Sequence, residues 1–396
     1  MMSEWKQTTL TNICSNISYG YTESAKEENV GPKFLRITDI ASGRFDWSSV
    51  PFCTINENDF EKYKLLPGDV VIARTGATTG ANYTIKETDP KDVVFASYLI
   101  RYKVNPELAY PFYIGQLLKS PNWSDYVDAI SGGSAQPGAN AKQLGSFEIL
   151  LPPLRTQIAI ASILSSLDDK IDLLHRQNKT LEQMAETLFR QWFVVEAKEE
   201  WESGILDDIL SVKGGTTPST ANKEFWDGTI HWTSPKDITN LNGIFLFDTE
   251  RKITEEGLKK IGSGLLPKGT LLMSSRAPVG VLAFAEIPLA INQGYIAILD
   301  DKDFTKEFIY LWLKTNMDYV QSYANGSTFL EISKSAFKSL EITIPPITIR
   351  KEFQNFAKPL FDKIKSNQTQ ILTLTAMRDS LLPKLMSGEV RVEEAM

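Results

Sequence analysis

Glycine, hydroxyl-bearing and basic residues recur together in short, turn-like segments of this chain. Ile-Ser-Tyr-Gly-Tyr-Thr at 17–22 has a counterpart in Val-Lys-Gly-Gly-Thr-Thr-Pro at 212–218, and Arg-Ile-Thr-Asp-Ile at 36–40 has one in the run 232–238. Hydroxyl and cationic side chains that loops present suit contacts to phosphates and base edges, and arginine can form two parallel hydrogen bonds with guanine. Glycine lets the backbone approach a ligand closely. The pattern predicts a nucleic-acid-binding face in each half of the chain.

The candidate nucleic-acid contacts are the basic, hydroxyl, aromatic and glycine residues of these segments and of further turns. In the first half they are Ser18, Tyr19, Gly20, Thr22, Arg36, Arg74, Thr75, Thr78 and Ser134. In the second half they are Lys213, Gly214, Gly215, Thr216, Thr217, Lys236, Ser275, Arg276 and Ser327. Arg74 and Arg276 are placed at equivalent positions, each after an apolar run and before a Gly-containing turn. The competing interpretation of both arginines is a surface salt bridge, which contributes at most about 1 kcal/mol.

Motifs for catalysis are absent from the sequence. It contains no Gly-x4-Gly-Lys-Ser/Thr phosphate loop and no Gly-x-Gly-x-x-Gly segment after a strand. The Pro-Pro pairs follow Leu151 and Ile344, where an amino-methyltransferase would need a polar residue to bind the amine. The run Asp168-Asp169-Lys170 is interpreted as helix surface rather than a nuclease site. The chain is therefore predicted not to be an enzyme.

Cysteine and histidine are too few and too scattered for a Cys/His metal site. Cys14 and Cys53 are expected to be free thiols in a reducing cytoplasm, because the chain begins without a basic and apolar signal segment. His231 flanks Trp232 and could contact nucleic acid, although burial or a simple surface role is favoured. No apolar run is long enough to cross a bilayer, so a cytoplasmic protein without membrane contact is expected.

The length and net charge of the chain limit the number of its domains and the kinds of ligand that it can bind. Its 396 residues suit two domains, and its 42% hydrophobic residues can fill two cores. The net charge of -7 argues against indiscriminate binding of polyanions, but it leaves room for a local basic face.

The two halves of the chain repeat each other. Leu-Leu-Pro-Gly-Asp-Val-Val at 65–71 is matched by Leu-Leu-Pro-Lys-Gly-Thr-Leu at 265–271. Phe-Glu-Ile-Leu-Leu-Pro-Pro-Leu at 147–154 is matched by Leu-Glu-Ile-Thr-Ile-Pro-Pro-Ile at 340–347. Because these and further landmarks keep their order, the sequence predicts an internal duplication.

A heptad pattern follows each Pro-Pro pair. It runs from Ile160 to Trp192 in the first half and from Phe353 to Leu385 in the second. The residues that are predicted to form the seam between the two helices are Leu164, Leu167, Ile171, Leu174, Asn178, Leu181, Leu360, Ile364, Asn367, Ile371 and Leu374. Two narrow seams are expected to bury each other in an antiparallel coiled coil, because the second globular region begins directly after the first helix. The alternative is two separate core helices, each packed on its own domain.

Polar and proline residues interrupt this pattern. Asn178 and Asn367 are either tolerated at the edge of the seam or specify its register at a cost in stability. Pro359 and Pro383 are expected to kink or fray the ends of the second helix.

The combined prediction is an α+β fold: two mixed α/β domains in a pseudo-twofold arrangement, joined by two long helices that form an antiparallel coiled coil. The predicted segments are a globular domain at 1–154, a long spacer helix at 155–200, a second globular domain at 201–347, and a second long helix with a tail at 348–396. Residues 1–154 are called the first repeat, and residues 201–347 are called the second repeat. Each repeat is also predicted to carry a late amphipathic helix, near 111–120 and 306–315.

Together these segments resemble the specificity (S) subunits of Type I restriction–modification enzymes. The resemblance lies in the long helices that follow the Pro-Pro pairs and in three segments. These segments are 65–71 with Arg74, 212–218, and the run Ser-Leu-Leu-Pro-Lys-Leu-Met-Ser-Gly-Glu-Val at 380–390. The resemblance spans nearly the whole chain, and the architecture is more specific than any single motif. The first repeat departs from the family's Gly-Gly-Thr-Pro pattern, since it has Ser-Tyr-Gly-Tyr-Thr at 18–22.

The resemblance implies a non-catalytic subunit whose two target recognition domains each read half of a split sequence in double-stranded DNA. It also implies that the paired helices act as a ruler and dock two methyltransferase (M) subunits, in a complex that restriction (R) subunits join. S-adenosylmethionine, ATP and Mg²⁺ would be bound by those partners, and this chain would hold no cofactor of its own.

A two-headed coiled-coil scaffold that recognises proteins would use the same architecture, and it stays open as a second hypothesis. A fused restriction–methylation enzyme is excluded by the length and by the missing motifs. A neighbouring reading frame with an Asn-Pro-Pro-Tyr/Phe methyltransferase signature would decide for DNA recognition.

Overall fold

Short strands and short helices alternate through the first repeat, as its β-rich runs between Gly, Pro and Asn turns predict. The computed structural model describes residues 5–41, 45–132, 138–276, 278–299, 303–326 and 330–392. The strands of this repeat are β1 Lys6–Thr9, β2 Cys14–Tyr19, β3 Lys33–Leu35, β4 Asp69–Ala73, β5 Asn82–Thr84, β6 Val93–Phe95, β7 Leu99–Val104 and β8 Glu148–Leu151. The helices are α1 Ile37–Ala41, α2 Glu57–Tyr63, α3 Pro111–Leu117, α4 Pro121–Ser131 and α5 Ala141–Gly145.

Strand β4 lies in the middle of the first repeat because its apolar run has no polar face. It pairs antiparallel with β7 and β5, and β2 extends the sheet on the far side of β7. Val70 and Ile72 enter the core cluster that holds α3 and α4, whereas Val71 and Ala73 enter a second cluster on the opposite face. A parallel pair, β3 with β6, and an antiparallel pair, β1 with β8, complete the repeat.

The second repeat has a similar order of strands and helices. Its strands are β9 Glu202–Ile205, β10 Ser211–Lys213, β11 Trp226–Thr233, β12 Phe245–Leu246, β13 Arg251–Ile253, β14 Leu271–Ser274, β15 Leu282–Ala285, β16 Leu289–Ile291, β17 Tyr295–Leu299 and β18 Glu341–Ile344. Its helices are α7 Leu206–Ile209, α8 Pro235–Thr239, α9 Glu255–Leu258, α10 Lys306–Thr315, α11 Met317–Ser322 and α12 Lys334–Lys338. The labels α6 and α13 belong to the two long helices.

Strand pairing confirms the internal duplication. The order β2-β7-β4-β5 of the first repeat reappears as β10-β17-β14-β15, extended by the short strand β12. The parallel pair β3 with β6 reappears as β11 with β16, and the terminal pair β1 with β8 reappears as β9 with β18. The late helices α3 and α10 begin where they were predicted.

The two long helices are α6 Leu154–Arg190, which continues into a π-helical turn at Gln191–Val195, and α13 Ile347–Met386. The chain divides into two compact units whose limits fall inside both helices: residues 1–171 with 373–396, and residues 172–372. Within the described part of the chain, no helix is long and apolar enough to cross a membrane.

Each unit contains an antiparallel pairing of the two long helices. In the first unit Arg378 of α13 bonds Asp168 of α6 at 3.0 Å. In the second unit, Trp192 in the π-helical turn that continues α6 lies against Phe353 near the start of α13, with ring centroids 5.8 Å apart. The predicted antiparallel pairing of two long helices is therefore confirmed.

The apolar face of the long helices is wider than the narrow seam that was predicted. All of the predicted seam residues are buried or half-buried. Phe189 and Phe361 are also buried, and they pack on the second repeat through Phe308 and Phe284. The helices therefore pack both on each other and on a repeat, so the two alternatives for the heptads each describe part of the packing. Helix α13 is continuous from Ile347 to Met386 through both of its prolines, so its ends are not frayed as was expected.

The seam asparagines meet inside the second unit. Asn367 is almost completely buried, and its Nδ2 donates to Asn178 Oδ1 at 2.9 Å. A slip of either helix would separate these amides and leave a buried polar group unpaired. The pair therefore favours the interpretation that the asparagines specify register.

Candidate nucleic-acid interface

The predicted residues of the first repeat gather where β2 and β4 end and β7 begins. Tyr19 ends β2, and its hydroxyl accepts a hydrogen bond from the Ala141 amide at 3.1 Å. Arg74 follows β4, and its amide donates to the Tyr98 carbonyl at 3.1 Å while its own carbonyl accepts from Ala139 at 2.9 Å. These loops form one surface, called the first edge: residues 18–22, 36–39, 74–79, 96–98 and 138–141.

The second repeat builds the corresponding surface from the corresponding loops. The Ser275 amide donates to the Gly294 carbonyl at 2.8 Å, and the Thr216 amide donates to the Ile291 carbonyl at 3.1 Å. This surface, residues 213–217, 234–237, 275–276, 278–280, 292–294 and 331–334, is called the second edge. The structure thus brings the predicted residues together in two sets, one on each repeat. Ser134 and Ser327 lie outside the described residues.

Hydroxyl groups of both edges are accessible in different degrees. Thr22, Thr216 and Thr217 are exposed, and Thr75 and Thr78 are half-buried. Ser18 and Ser275 are different, since each has a buried hydroxyl oxygen without a hydrogen-bond partner among the described residues. The hydroxyls of Thr216 and Thr217 donate to the Lys260 carbonyl at 3.1 Å and to Gln293 Oε1 at 2.6 Å, so in this arrangement they can accept a hydrogen bond from a ligand.

Gly20 and Gly215 are required for packing inside the protein. A Cβ on Gly20 would lie 2.3 Å from the carbonyl oxygens of Phe95 and Ala96, and one on Gly215 would lie 1.8 Å from the carbonyl oxygen of Ile291. From the sequence, these glycines were expected to let the backbone approach a ligand closely. In the structure the close approach is to a neighbouring strand, and this equivalent need in both repeats fixes the path of the loop.

Arg74 and Arg276 do not occupy equivalent positions, which corrects the sequence alignment. The Arg74 carbonyl accepts from Ala139 at 2.9 Å, whereas the corresponding bond from Ile332, at 3.0 Å, goes to the carbonyl of Ser275. Arg74 therefore aligns with Ser275. One residue later, Thr75 forms a bridge with Gly138 as Arg276 does with the residue before Ile332.

A backbone requirement explains the one-residue shift. Gly68 and Gly269 have φ of +89° and +95°, and their amides donate to the equivalent carbonyls of Ile85 and Ala285. Left-handed backbone favours glycine, so these two positions must align. The Leu-Leu-Pro triplets in front of them are consequently one residue out of register, and side-chain identity misled the comparison.

The two arginines also differ in their surroundings. The Arg74 guanidinium lies 5.2 Å from the centre of the Tyr19 ring, and its Nε donates to the Ser97 carbonyl at 3.1 Å. The Arg276 guanidinium lies 3.9 Å from a Glu331 carboxylate oxygen, at the long end of ion-pair distances. The salt-bridge interpretation thus has a partner for Arg276, and the DNA-contact role of both arginines stays a prediction.

Two further predicted cations are held by carboxylates. Arg36 bonds Asp39 through Nη2 at 2.9 Å and Nε at 3.2 Å, and this hydrogen-bonded pair raises the pKa of the guanidinium. Lys236 bonds Glu250 at 2.9 Å. Lys213 is exposed, and its ammonium donates to a carbonyl at 3.5 Å. Lys213 therefore keeps more capacity for an external anion than Arg36 or Lys236.

Two tryptophans hold the loop of the second edge and the residues that follow it, a role that was not predicted from the sequence. The indole N–H of Trp226 donates to the Ser219 carbonyl at 3.1 Å, and that of Trp232 donates to the Thr216 carbonyl at 3.4 Å. The Arg251 guanidinium stacks 3.4 Å from the centre of the Trp226 ring. The signal was available, because buried tryptophans need an acceptor and the nearest loop supplies it.

Histidine and cysteine take no part in these edges. His231 lies half-buried, with Nδ1 3.2 Å from an Asp248 carboxylate oxygen. Cys14 and Cys53 are free, as predicted, and burial raises the pKa of their thiols to about 12 and about 11. Such thiols are protonated at neutral pH and are poor nucleophiles. Within the described ranges no group of three or more His, Cys, Asp or Glu side chains could hold a metal ion.

Comparison with known proteins gives a consistent result. The family model described as Type I restriction modification DNA specificity domain matches residues 2–183 and 198–376. The specificity subunit of the Type I restriction enzyme HindI from Haemophilus influenzae is 25% identical, and the match covers 98% of this chain and 100% of that protein. The specificity subunit of MjaIX from Methanocaldococcus jannaschii is 37% identical over 199 residues, which cover 48% of this chain and 45% of that protein.

A solved structure has the same fold. The S subunit of a Type I restriction–modification system from M. genitalium matches with a TM-score of 0.61 and 15% sequence identity. The match covers 99% of this chain and 97% of that one.

Proposed function

This chain belongs to the family of proteins with the Type I restriction modification DNA specificity domain, and on that premise we propose that it is a non-catalytic subunit that recognises a bipartite DNA sequence. Each edge reads one half of the target in double-stranded DNA. The methyl-transfer and cleavage reactions take place on partner subunits.

The duplication of the edges carries this proposal. Loops with the same backbone path meet at the same strand ends in both repeats, but the side chains that they present differ. A protein that reads two different half-sites needs this combination, because a common scaffold must present different hydrogen-bonding groups.

The basic groups on the edges are few, and the chain as a whole carries a net charge of -7. A chain with this balance lacks a broad electrostatic attraction to DNA, so base contacts and partner subunits must supply much of the binding free energy. This balance fits a subunit that acts within a complex.

Exposed apolar residues on the long helices suit the docking of two methyltransferase subunits. Leu154 and Ile347 directly follow the two Pro-Pro pairs and are 39% and 42% exposed. Ile163 and Phe356 lie nine residues further along each helix and are 37% and 52% exposed. Because the pattern occurs twice, it suits two copies of one partner. Restriction subunits then join through those partners.

The proposal assigns every cofactor to the partners. S-adenosylmethionine belongs to the methyltransferase subunits, and ATP with Mg²⁺ belongs to the restriction subunits. No step of the chemistry is assigned to a residue of this chain.

Mapping of methylated bases tests the proposal. The chain is co-expressed with a methyltransferase subunit of the same type of system in a host that lacks other methylation, and methylated adenine is mapped across the genome by single-molecule sequencing. We expect one split motif, two defined segments separated by a spacer of fixed length. The methyltransferase without this chain is the control, and it should leave no motif. An undivided motif, or the same motif in the control, would contradict the proposal.

A further inference from the structure

One position on each edge is occupied by a side chain, but in the two repeats that side chain comes from different secondary-structure elements. In the first repeat Tyr19, from strand β2, fills it: the ring lies 5.2 Å from the Arg74 guanidinium and the hydroxyl accepts from the Ala141 amide. Tyr19 is followed by Gly20, the glycine that packs against a neighbouring strand.

The equivalent position in the second repeat has no side chain. Gly214 precedes Gly215 as Tyr19 precedes Gly20, so Gly214 takes the position of Tyr19. A Cβ built on Gly214 would lie 3.0 Å from Cδ, Cε and Nζ of Lys334. The side chain of Lys334 therefore lies over Gly214, in the space that Tyr19 takes up in the first repeat.

The helix position that carries this lysine also has a counterpart in the first repeat. Lys334 is the first residue of α12, as Ala141 is the first residue of α5. The helix position has a small side chain in the first repeat and a long one in the second. The strand position has a large side chain in the first repeat and none in the second. The pair Tyr19 and Ala141 has become the pair Gly214 and Lys334.

The exchange converts an aromatic group into a positive charge on the second edge. Lys334 is exposed, and no carboxylate among the described residues lies within 4.0 Å of its ammonium group. Lys338, on the same helix, differs because it pairs with Asp207 at 2.8 Å. The end of the alkyl stem and the ammonium group of Lys334 both lie over Gly214, so the positive charge is held at the second edge.

We propose that Lys334 contacts a DNA phosphate from the second edge, in the place that Tyr19 occupies on the first edge. The inference rests on the proposed DNA recognition and deepens it, since it names a residue that positions one half of the protein on the duplex. Lysine is a compact point charge with three donors, which suits a phosphate contact better than planar recognition of a base. Phosphate contacts fix the register of a protein on DNA but carry no sequence information.

The test compares charge with packing. Lys334→Met keeps an unbranched stem over Gly214 and removes the charge, and Lys338→Met removes a charge that Asp207 already neutralises. Each variant of the full chain is assembled with the methyltransferase subunit and titrated by fluorescence anisotropy at several salt concentrations. The probes are a labelled duplex with the mapped target and a labelled duplex of scrambled sequence.

We expect Lys334→Met to weaken binding of both probes about fivefold and to lower the salt slope by about one. Lys338→Met should leave the slope unchanged, and thermal unfolding should show both variants folded as the wild type is. A double variant, Gly214→Tyr with Lys334→Ala, restores the packing of the first edge without the charge, and it should bind as Lys334→Met does.

Three results would overturn the inference. Unchanged affinity and slope would remove Lys334 from the interface. A loss of affinity that depends on one base pair of the target would show that Lys334 contacts a base. A loss of the same size in Lys338→Met would show that the loss comes from the change in net charge and not from a contact of Lys334. If the wild-type complex binds neither probe, the proposed function itself fails, and that result is distinct from a wild type that binds and a variant that is unaffected.

Discussion

The first and second edges have the same backbone and different side chains. Gly20 and Gly215 pack against carbonyl oxygens in both repeats, whereas Tyr19 and Arg74 of the first edge correspond to Gly214 and Ser275 of the second. Positions that touch the protein's own backbone are thus kept between the repeats. The positions of Tyr19 and Arg74 have changed in size and charge, as expected for surfaces with different half-sites.

The attachment of the two repeats to helix α6 is also kept, although their edges differ. In the first unit Asp168 of α6 bonds Lys119 at 2.9 Å, and in the second unit Glu182 of α6 bonds Lys314 at 2.9 Å. Each lysine lies in or just beyond the late helix of its repeat. One long helix therefore supplies a carboxylate to each repeat, so the attachment is kept while the edges differ.

The largest expected effect is on stability, from an alanine at the common glycine. Gly215→Ala places a methyl group 1.8 Å from the Ile291 carbonyl oxygen, and Gly20→Ala places one 2.3 Å from two such oxygens. We expect each to lower the free energy of unfolding by about 2–4 kcal/mol, measured by denaturant unfolding. Gly262→Ala is the matched control, because a Cβ there meets nothing within 4 Å. Full stability with lost DNA affinity would instead show that the glycine serves ligand approach.

The next effect is on binding, and it should differ between the two arginines. Arg74→Ala is expected to cost about 1–3 kcal/mol of binding if the guanidinium meets a base, with specificity relaxed in one half-site only. Arg276→Ala should cost less, because Glu331 already competes for its guanidinium. Fluorescence titrations of the assembled complex with duplexes that carry one altered half-site separate the two, and Lys358→Ala, which removes a helix lysine paired with Asp362, is the control. Equal losses, or none, would break the comparison between the edges.

The smallest effect concerns the attachment of the first repeat. Burial would raise the pKa of Asp168, but Lys119, Gln116 and Arg378 together hold it below its ordinary value. A carboxylate with a depressed pKa in the folded state stabilises the protein above its unfolded-state pKa of about 4, and the contribution is lost as the pH falls through the folded-state pKa. Asp168→Asn should therefore cost about 1 kcal/mol at neutral pH and little in acid, as measured by unfolding across pH. A deficit that does not change with pH would contradict this reasoning.

The parts of the fold that follow from periodicity could be predicted from the sequence. The heptads around Leu164 and Ile364 determine two long helices, because a seam at spacings of three and four can be buried only on a helix. The apolar, β-branched run at 70–73 indicates a strand. The width of the buried helix face was not predictable, since Phe189 and Phe361 are also covered by side chains of the second repeat, Phe308 and Phe284.

The candidate edges were predictable as sets of residues but not in their detailed register. Side-chain identity aligned Arg74 with Arg276, while the left-handed turns at Gly68 and Gly269 place Arg74 opposite Ser275. Lys334 had no sequence signal at all. Its place over Gly214 depends on two segments that are far apart in the chain and that come together only in the folded protein.

The central claim is that each edge reads one half of a split DNA target, and exchange of one repeat tests it most directly. Residues 1–150 are replaced by the corresponding segment of a homologous specificity subunit, and the methylated motif of the hybrid complex is mapped. We predict that one half of the motif changes completely while the other half stays as it is in the wild type. A motif that changes in both halves, or in neither, would contradict the account.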